Sequence, residues 1–396
     1  MRRTQPHPLH AVLAGLCASL VGIGLARFAY TPLVPALIDA HWFGANEVFC
    51  LGAANLVGYL VGAFCGRPLA RLLSAKRNLR WMMLLVAASF FACAIPLSIV
   101  WFFAWRFVSG LAGGVIMVLA AGAVLPYLSG ARKGLASGAI FLGLGLGIAA
   151  SGTLVPLLLG LGLRQTWMGL GMIALLLTAL SWSGWPSITL TDAPITSDKN
   201  PRTSELGLVY VQYALMAVAL VPTMIFLVDY IARGIGWGTH AAATFWVVYG
   251  LGAIVGPVAY GALADRIGLA ASNRTALMGQ LLAIMVLVLS SQTMFLLLAI
   301  LVIGSFPPGI VPITFGRVQQ QLTGDPVAQG AAWSRATIIF ALFQALAGYA
   351  YSFLFANTHG NHVLLFCIGG AAIVLALLSE ALWLAMQAFL RPATFD

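Results

Sequence analysis

The sequence predicts an all-α integral membrane protein with twelve transmembrane helices in two pseudo-symmetric six-helix bundles. Three observations lead there. Of 396 residues, 61% are apolar and only 8% are charged, against about a quarter charged in an ordinary soluble domain. The apolar residues gather into twelve runs, each near or above the ~20 residues needed to cross ~30 Å of hydrocarbon. The Lys and Arg residues fall almost wholly on one alternate set of connecting segments, as the positive-inside rule requires.

Taken in order, the first span is 9–38. Arg2-Arg3 precedes it, but its apolar run is about twice the length of a signal-peptide core, so it reads as an uncleaved helix. Spans at 46–68, 79–98, 100–128, 134–161 and 164–186 complete the first set, with a tight turn near Ser98. The polar stretch 187–206 follows, with Asp192, Pro194, Asp198, Lys199, Pro201 and Arg202. It separates two nearly equal halves, 1–186 and 207–396, which suggests duplication. The second set is 207–234, 239–262, 272–293, 294–317, 328–356 and 361–390, with a tight turn near Thr293. With both termini cytoplasmic, fifteen Lys and Arg residues lie inside and two, Arg164 and Arg233, outside. The net charge of +10 thus belongs to a membrane surface, the inner membrane if the source is bacterial, and not to nucleic acid. Five cysteines, all within apolar runs and without C-x-x-C spacing, indicate neither a disulfide framework nor a zinc site.

In lipid, an ionisable side chain at mid-span costs about 2.5–3.5 kcal/mol on insertion scales and needs a partner or a wet cavity. Arg27, Arg106 and Arg335 hold such positions. Arg27 shares a helix face with Tyr30 and Thr31, just before Pro32 and Pro35 disturb the helix. It reads as a substrate contact, or else as an arginine snorkelling to the outer interface or paired with Glu47. Arg106 precedes Ser109, Gly110 and Gly113, a small face for a neighbouring helix. It reads as a cavity arginine or as a structural one bonded to backbone carbonyls. Arg335 and Glu380 are expected to pair in the inner half, unless Glu380 titrates. Asp229 and Arg233 form an i,i+4 pair near the outer end of the seventh span; the sharper reading makes Asp229 a coupling carboxylate. All six histidines lie near span ends, which argues against a histidine relay in the core.

Glycines recur at packing distance. Gly58, Gly62 and Gly66 mark the second span, Gly138, Gly143, Gly145, Gly147 and Gly152 the fifth, and Gly252, Gly256 and Gly261 the eighth. Pro307-Pro308-Gly309 and Pro312 are expected to break the backbone ladder of the tenth.

Between the eighth and ninth spans lies Gly261-Ala262-Leu263-Ala264-Asp265-Arg266-Ile267-Gly268, a charged stretch that reads as a loop at a water boundary. It closely resembles the G-x-x-x-D-R-x-G loop signature of the major facilitator superfamily. Arg106 followed by glycines resembles a second signature of that superfamily, and the fifth-span glycines resemble a third, common in exporters, without its proline. The Arg27–Pro35 stretch and the short linker look like the bacterial YbfB/YjiJ-type branch. The likeness covers the whole chain. It implies a secondary transporter working by alternating access between two bundles, with Gly261, Asp265, Arg266 and Gly268 in a cytoplasmic gating loop. It links Arg106 to the cavity and to proton coupling, and it places helices 2 and 5 against helices 11 and 8 between the halves. The first-half counterpart departs from the pattern at Ala70 and Leu73, so the gate in that half is expected to be held differently.

Arg27, Tyr30, Thr31 and Arg106 then suggest a cavity for a small organic anion, and Asp229 and Glu380 are the carboxylates available for proton coupling. Two alternatives stay open. One is efflux of amphipathic compounds, suggested by the aromatic and methionine content. The other is a membrane-embedded enzyme, for which the sequence offers no cluster of catalytic groups at one depth and no G-x-x-x-x-G-K-[ST] loop. No catalytic residue, metal or cofactor is expected; the partners are a small solute, the lipid bilayer and protons.

Overall fold

The computed structural model describes residues 6–124, 133–186, 203–323 and 325–390. Most of the linker, with Lys199 and Arg202, lies outside these residues, as do Arg2, Arg3, Arg132 and Arg391. All regular structure among the described residues is helical. The helices are α1 (Pro8–Asp39), α2 (Ala45–Leu72), α3 (Ala75–Cys93), α4 (Ile99–Val124), α5 (Lys133–Leu159), α6 (Leu163–Ser181), α7 (Thr203–Ile225), α8 (Gly238–Ile267), α9 (Leu269–Leu289), α10 (Thr293–Gln321), α11 (Pro326–Asn357) and α12 (His362–Leu390). Eleven are long and apolar enough to cross a membrane. The exception is α3, on the expected third span, whose opening turns carry Lys76, Arg77 and Arg80.

Short turns make consecutive helices antiparallel, so the bundle has two ends. The turns at 40–44, 94–98, 160–162, 235–237, 290–292 and 358–361 form the far end. The near end carries residues 6 and 390 and the turns at 73–74 and 268. Helix pairing repeats along the chain. α2 packs on α4 and α8 on α10; α3 packs on α6 and α9 on α12; α1 packs on α5 and α7 on α11. Each second pair is the first with six added to both numbers. The main joints between the two sets are α5 with α8 and α2 with α11. Large apolar side chains such as Val258, Leu289 and Phe353 are exposed on the outside of the bundle, as lipid permits.

The glycines explain the tightest pairs. A side chain at Gly58 or Gly62 would run into the carbonyl of Phe107 or Leu111 on α4, and one at Gly110 or Gly114 into that of Asn55 or Tyr59 on α2. Gly252, Gly256 and Gly304 make the same fit between α8 and α10. Gly58, Gly62, Gly252 and Gly256 therefore serve crossings within each set, although they stand on helices that the resemblance places between the halves. At the joints, Gly145 and Gly152 of α5 meet Ala253 and Val247 of α8, Gly250 of α8 meets Ala149 of α5, and Gly348 of α11 meets Leu56 and Ala53 of α2, while Gly143 and Gly147 face α1. Gly138 and Gly261, toward the near end, have nothing within 4 Å.

Three local readings change. The 261–268 stretch is the last turns of α8, ending at Gly268 alone (φ 83°), and α9 starts at Leu269. Asp265 and Arg266 are exposed there as expected. α10 runs on through Pro307, Pro308 and Pro312; each proline removes only its own N–H, and Pro307, Pro308 and Gly309 are buried, with Tyr260 packed on Gly309. α1, read as one span, changes character twice: residues 20–25 widen into a π-helical stretch and residues 31–33 tighten into a 3₁₀ turn at Pro32. Such irregular turns free backbone groups, and they recur at functional sites.

Candidate functional site

The irregular part of α1 is the centre of the polar interior. Asn55 of α2 holds it in place: its Nδ2 donates to the Ala26 carbonyl (3.5 Å), the Arg106 carbonyl (3.4 Å) and Ser109 Oγ (2.9 Å). Arg106 is 2% exposed. Its Nη1 donates to the same Ala26 carbonyl at 2.8 Å, and its guanidinium lies 4.2 Å from the centre of the Tyr30 ring. Tyr30 is fixed in turn by donation to the Val48 carbonyl at 2.6 Å.

Arg27 reaches across the bundle. Its Nη1 donates to Gln344 Oε1 of α11 at 2.9 Å, and its guanidinium lies 4.2 Å from the Tyr59 ring centre. Gln344 Nε2 has the sulfur of Met224 at 3.5 Å, a weak acceptor. Thr31 Oγ1 donates to the Met224 carbonyl at 2.5 Å, just before α7 breaks at Phe226. Of the two structural alternatives for Arg27, pairing with Glu47 is excluded: Glu47 Oε2 instead accepts from the Gly44 N–H at 2.8 Å and caps α2.

Arg27, Tyr30, Thr31 and Arg106 thus come together, with Asn55, Tyr59, Met224 and Gln344 added by the structure. The two guanidinium groups are close enough to repel each other, and no carboxylate acts on either among the described residues. Their partners are carbonyls, an amide and ring faces, all neutral. Arg27 Nη2 and Arg106 Nε are buried with no hydrogen-bond partner. The site is therefore a positive, under-satisfied centre at mid-bundle, complementary to a small anion.

The far end above it is closed by aromatic rings from both sets. Phe49 of α2 stacks on Phe226 at 4.3 Å and meets Phe355 of α11 edge-on at 4.6 Å. Next to this seal, beyond the break in α7, Asp229 is fully buried. Arg233 bonds its Oδ1, as the i,i+4 spacing suggested, and His362 Nε2 lies 2.7 Å from its Oδ2. His362 opens α12, so it does lie near a helix end, yet it is buried.

Glu380 does not meet Arg335, which is exposed. It pairs with Arg274 at 3.5 Å and accepts from Gln212 Nε2 at 3.2 Å. Gln212 Oε1 in turn accepts from Arg317 at 2.5 Å and from Asn273 at 3.4 Å. α9 and α10 thus supply the arginines that α11 was expected to provide. At the near end, Arg67 Nη2 donates to the Gly330 carbonyl of α11 at 3.3 Å. A cysteine placed at 330 is expected to react about three-fold faster with a water-soluble maleimide in an Arg67→Ala background, the scale of one exposed hydrogen bond. An unchanged rate would show that the bond does not hold the near end together.

A family model described as "Uncharacterised MFS-type transporter YbfB" matches residues 19–380. No curated protein matches the chain.

Proposed function

Since the chain belongs to this YbfB-type family of MFS transporters, an integral membrane protein that moves a small solute, we propose that its solute is a small organic anion bound between Arg27 and Arg106. The observation that carries this reading is the pair of unpartnered donors, Arg27 Nη2 and Arg106 Nε, in a centre with no opposing carboxylate. A carboxylate accepts from two guanidinium groups at once and neutralises a charge that is otherwise costly in a low-dielectric site. Arg27, bonded to Gln344 across the bundle, gives the anion a hold on both sets of helices.

The transporter has twelve spans in two six-helix bundles, 1–186 and 207–396, joined by a cytoplasmic linker at 187–206. The repeat of helix pairs with an offset of six supports this. Both termini face the cytoplasm, in the inner membrane if the source is bacterial, and Gly261, Asp265, Arg266 and Gly268 form a gating turn there. Alternating access then amounts to rocking about the α5–α8 and α2–α11 joints, with the Phe49, Phe226 and Phe355 rings sealing one side. A proton is the coupling ion, carried by Asp229 or Glu380.

The test is thermal melting of the purified protein against small carboxylates, lipophilic cations and neutral solutes. A ligand at 100 times its Kd stabilises by about 2.7 kcal/mol. Stabilisation is expected from carboxylates and is expected to vanish in Arg27→Ala. Stabilisation by lipophilic cations alone would overturn the reading.

A further inference from the structure

We infer that His362 takes up the coupling proton beside Asp229 and that this proton latches the far-end aromatic seal. The inference deepens the proton-coupling part of the reading above. Its test uses no transported solute, so failure would leave the anion site untouched.

Asp229, His362 and Arg233 form one compact cluster away from the central arginines. An ionised Asp229 can only accept, so His362 donates through Nε2–H to Oδ2 at 2.7 Å while Arg233 holds Oδ1. With Nε2 already protonated, an incoming proton goes to Nδ1. That atom faces the backbone at Gly234, where an added methyl group would lie 3.2 Å from it. Proton uptake turns a neutral donor into a cation against a carboxylate and so adds the attraction of opposite charges to a bond that the ionised Asp229 already strengthens. Only His362 changes protonation: one proton binds at Nδ1, Asp229 stays a carboxylate, nothing is displaced, and the cluster's charge rises by one.

The surroundings leave His362 and Asp229 as the pair that responds. Arg233 and His362 are the charged or titratable groups acting on Asp229. Tyr230, from the same turn, has its ring centre 5.7 Å from that of His362 and donates to the Leu287 carbonyl of α9. The nearby end of α1 carries Asp39, the start of α8 carries His240, and the turn before α12 carries His359; all three are exposed. From α11 the neighbour is Phe355, whose ring stands edge-on to His362 at 4.8 Å. Phe355 is also the ring that Phe49 meets across the joint between the two helix sets. The proton site therefore touches the seal directly. Protonated His362 ties the start of α12 to α7 and holds Phe355 against Phe49; loss of the proton slackens that tie and lets the far end part.

Cys50, next to Phe49 and partly buried, is a built-in reporter. A protein in which Cys50 is the sole cysteine is treated with a membrane-impermeant maleimide across about pH 5.5–8.5, the range in which histidine changes charge. The rate is divided by that of the same protein carrying His362→Gln, which keeps a donor to Asp229 but cannot titrate; the ratio removes the thiol's own pH dependence. The ratio is expected to fall about ten-fold from the alkaline to the acid end, the scale of one added close charge pair. A ratio flat with pH would overturn the proposal. If His362→Gln does not fold, Gly234→Ala replaces it: crowding Nδ1 is expected to shift the profile to lower pH, and an unshifted profile would equally overturn it.

Discussion

Arg106→Ala is expected to lower solute uptake into proteoliposomes by about 100-fold, the equivalent of one lost hydrogen bond to a charged group at ~1.5–3 kcal/mol. Two things go together in this variant. The anion loses one of two cationic partners, and the Ala26 carbonyl, at the irregular part of α1, keeps only the 3.5 Å contact from Asn55. Arg106→Lys separates them. Lysine retains the charge but not the planar fork that lies on Tyr30 while one arm reaches Ala26. It is expected to recover part of the uptake, to within about ten-fold of the unaltered protein. The measurement is initial uptake of the carboxylate that best stabilises the protein, normalised to monodisperse protein recovered. Full activity in Arg106→Ala would remove this residue from the site.

Gly62→Leu is expected to prevent assembly or to lower the melting temperature by about 10 °C, since the side chain would have to displace the Leu111 backbone of α4. The backbone cannot yield as a flexible side chain would, and the reciprocal glycines Gly110 and Gly114 hold the two backbones equally close along the same crossing. Gly138→Leu on α5 is the matched control: nothing lies within 4 Å, and its melting temperature is expected to stay within about 2 °C. Size-exclusion profiles and thermal melts of the two variants side by side check the pair. A well-behaved Gly62→Leu protein would mean that α2 and α4 do not cross as closely as described.

Much of this was legible in the chain itself, and the reason is physical. Bilayer thickness and the positive-inside rule act on every residue of a membrane protein, so helix positions follow from apolar runs and charges. The central arginines were visible for the same cause: a guanidinium at mid-span has no neutral form to hide in. What escaped was of two kinds. Asn55, Tyr59 and Gln344 are polar without being ionisable, so a search keyed to charge passes over them, although an amide inside an apolar run is itself a signal. His362 and Asp229 lie 133 residues apart, and no spacing rule connects them. The expected Arg335–Glu380 pair failed similarly. Shared depth in the membrane fixes one coordinate only, and α9 and α10 stand nearer to Glu380 in the other two. The α2 and α8 glycines were correctly read as packing surfaces, but spacing names a face and not the helix that fills it.

The Arg67 bond to the Gly330 carbonyl has an evolutionary corollary. Every residue type carries a carbonyl, and a methyl group at 330 would still stand 3.8 Å from the Arg67 Nη2 atom. Selection can therefore hold position 67 to arginine while position 330 drifts among small residues, and the two columns of an alignment need not covary. The same holds for Arg106 and Ala26. In homologues of this chain, the contacts that clamp helix to helix at these points are expected to show as one constrained column facing a permissive one, so that contact inference from correlated substitutions passes over them.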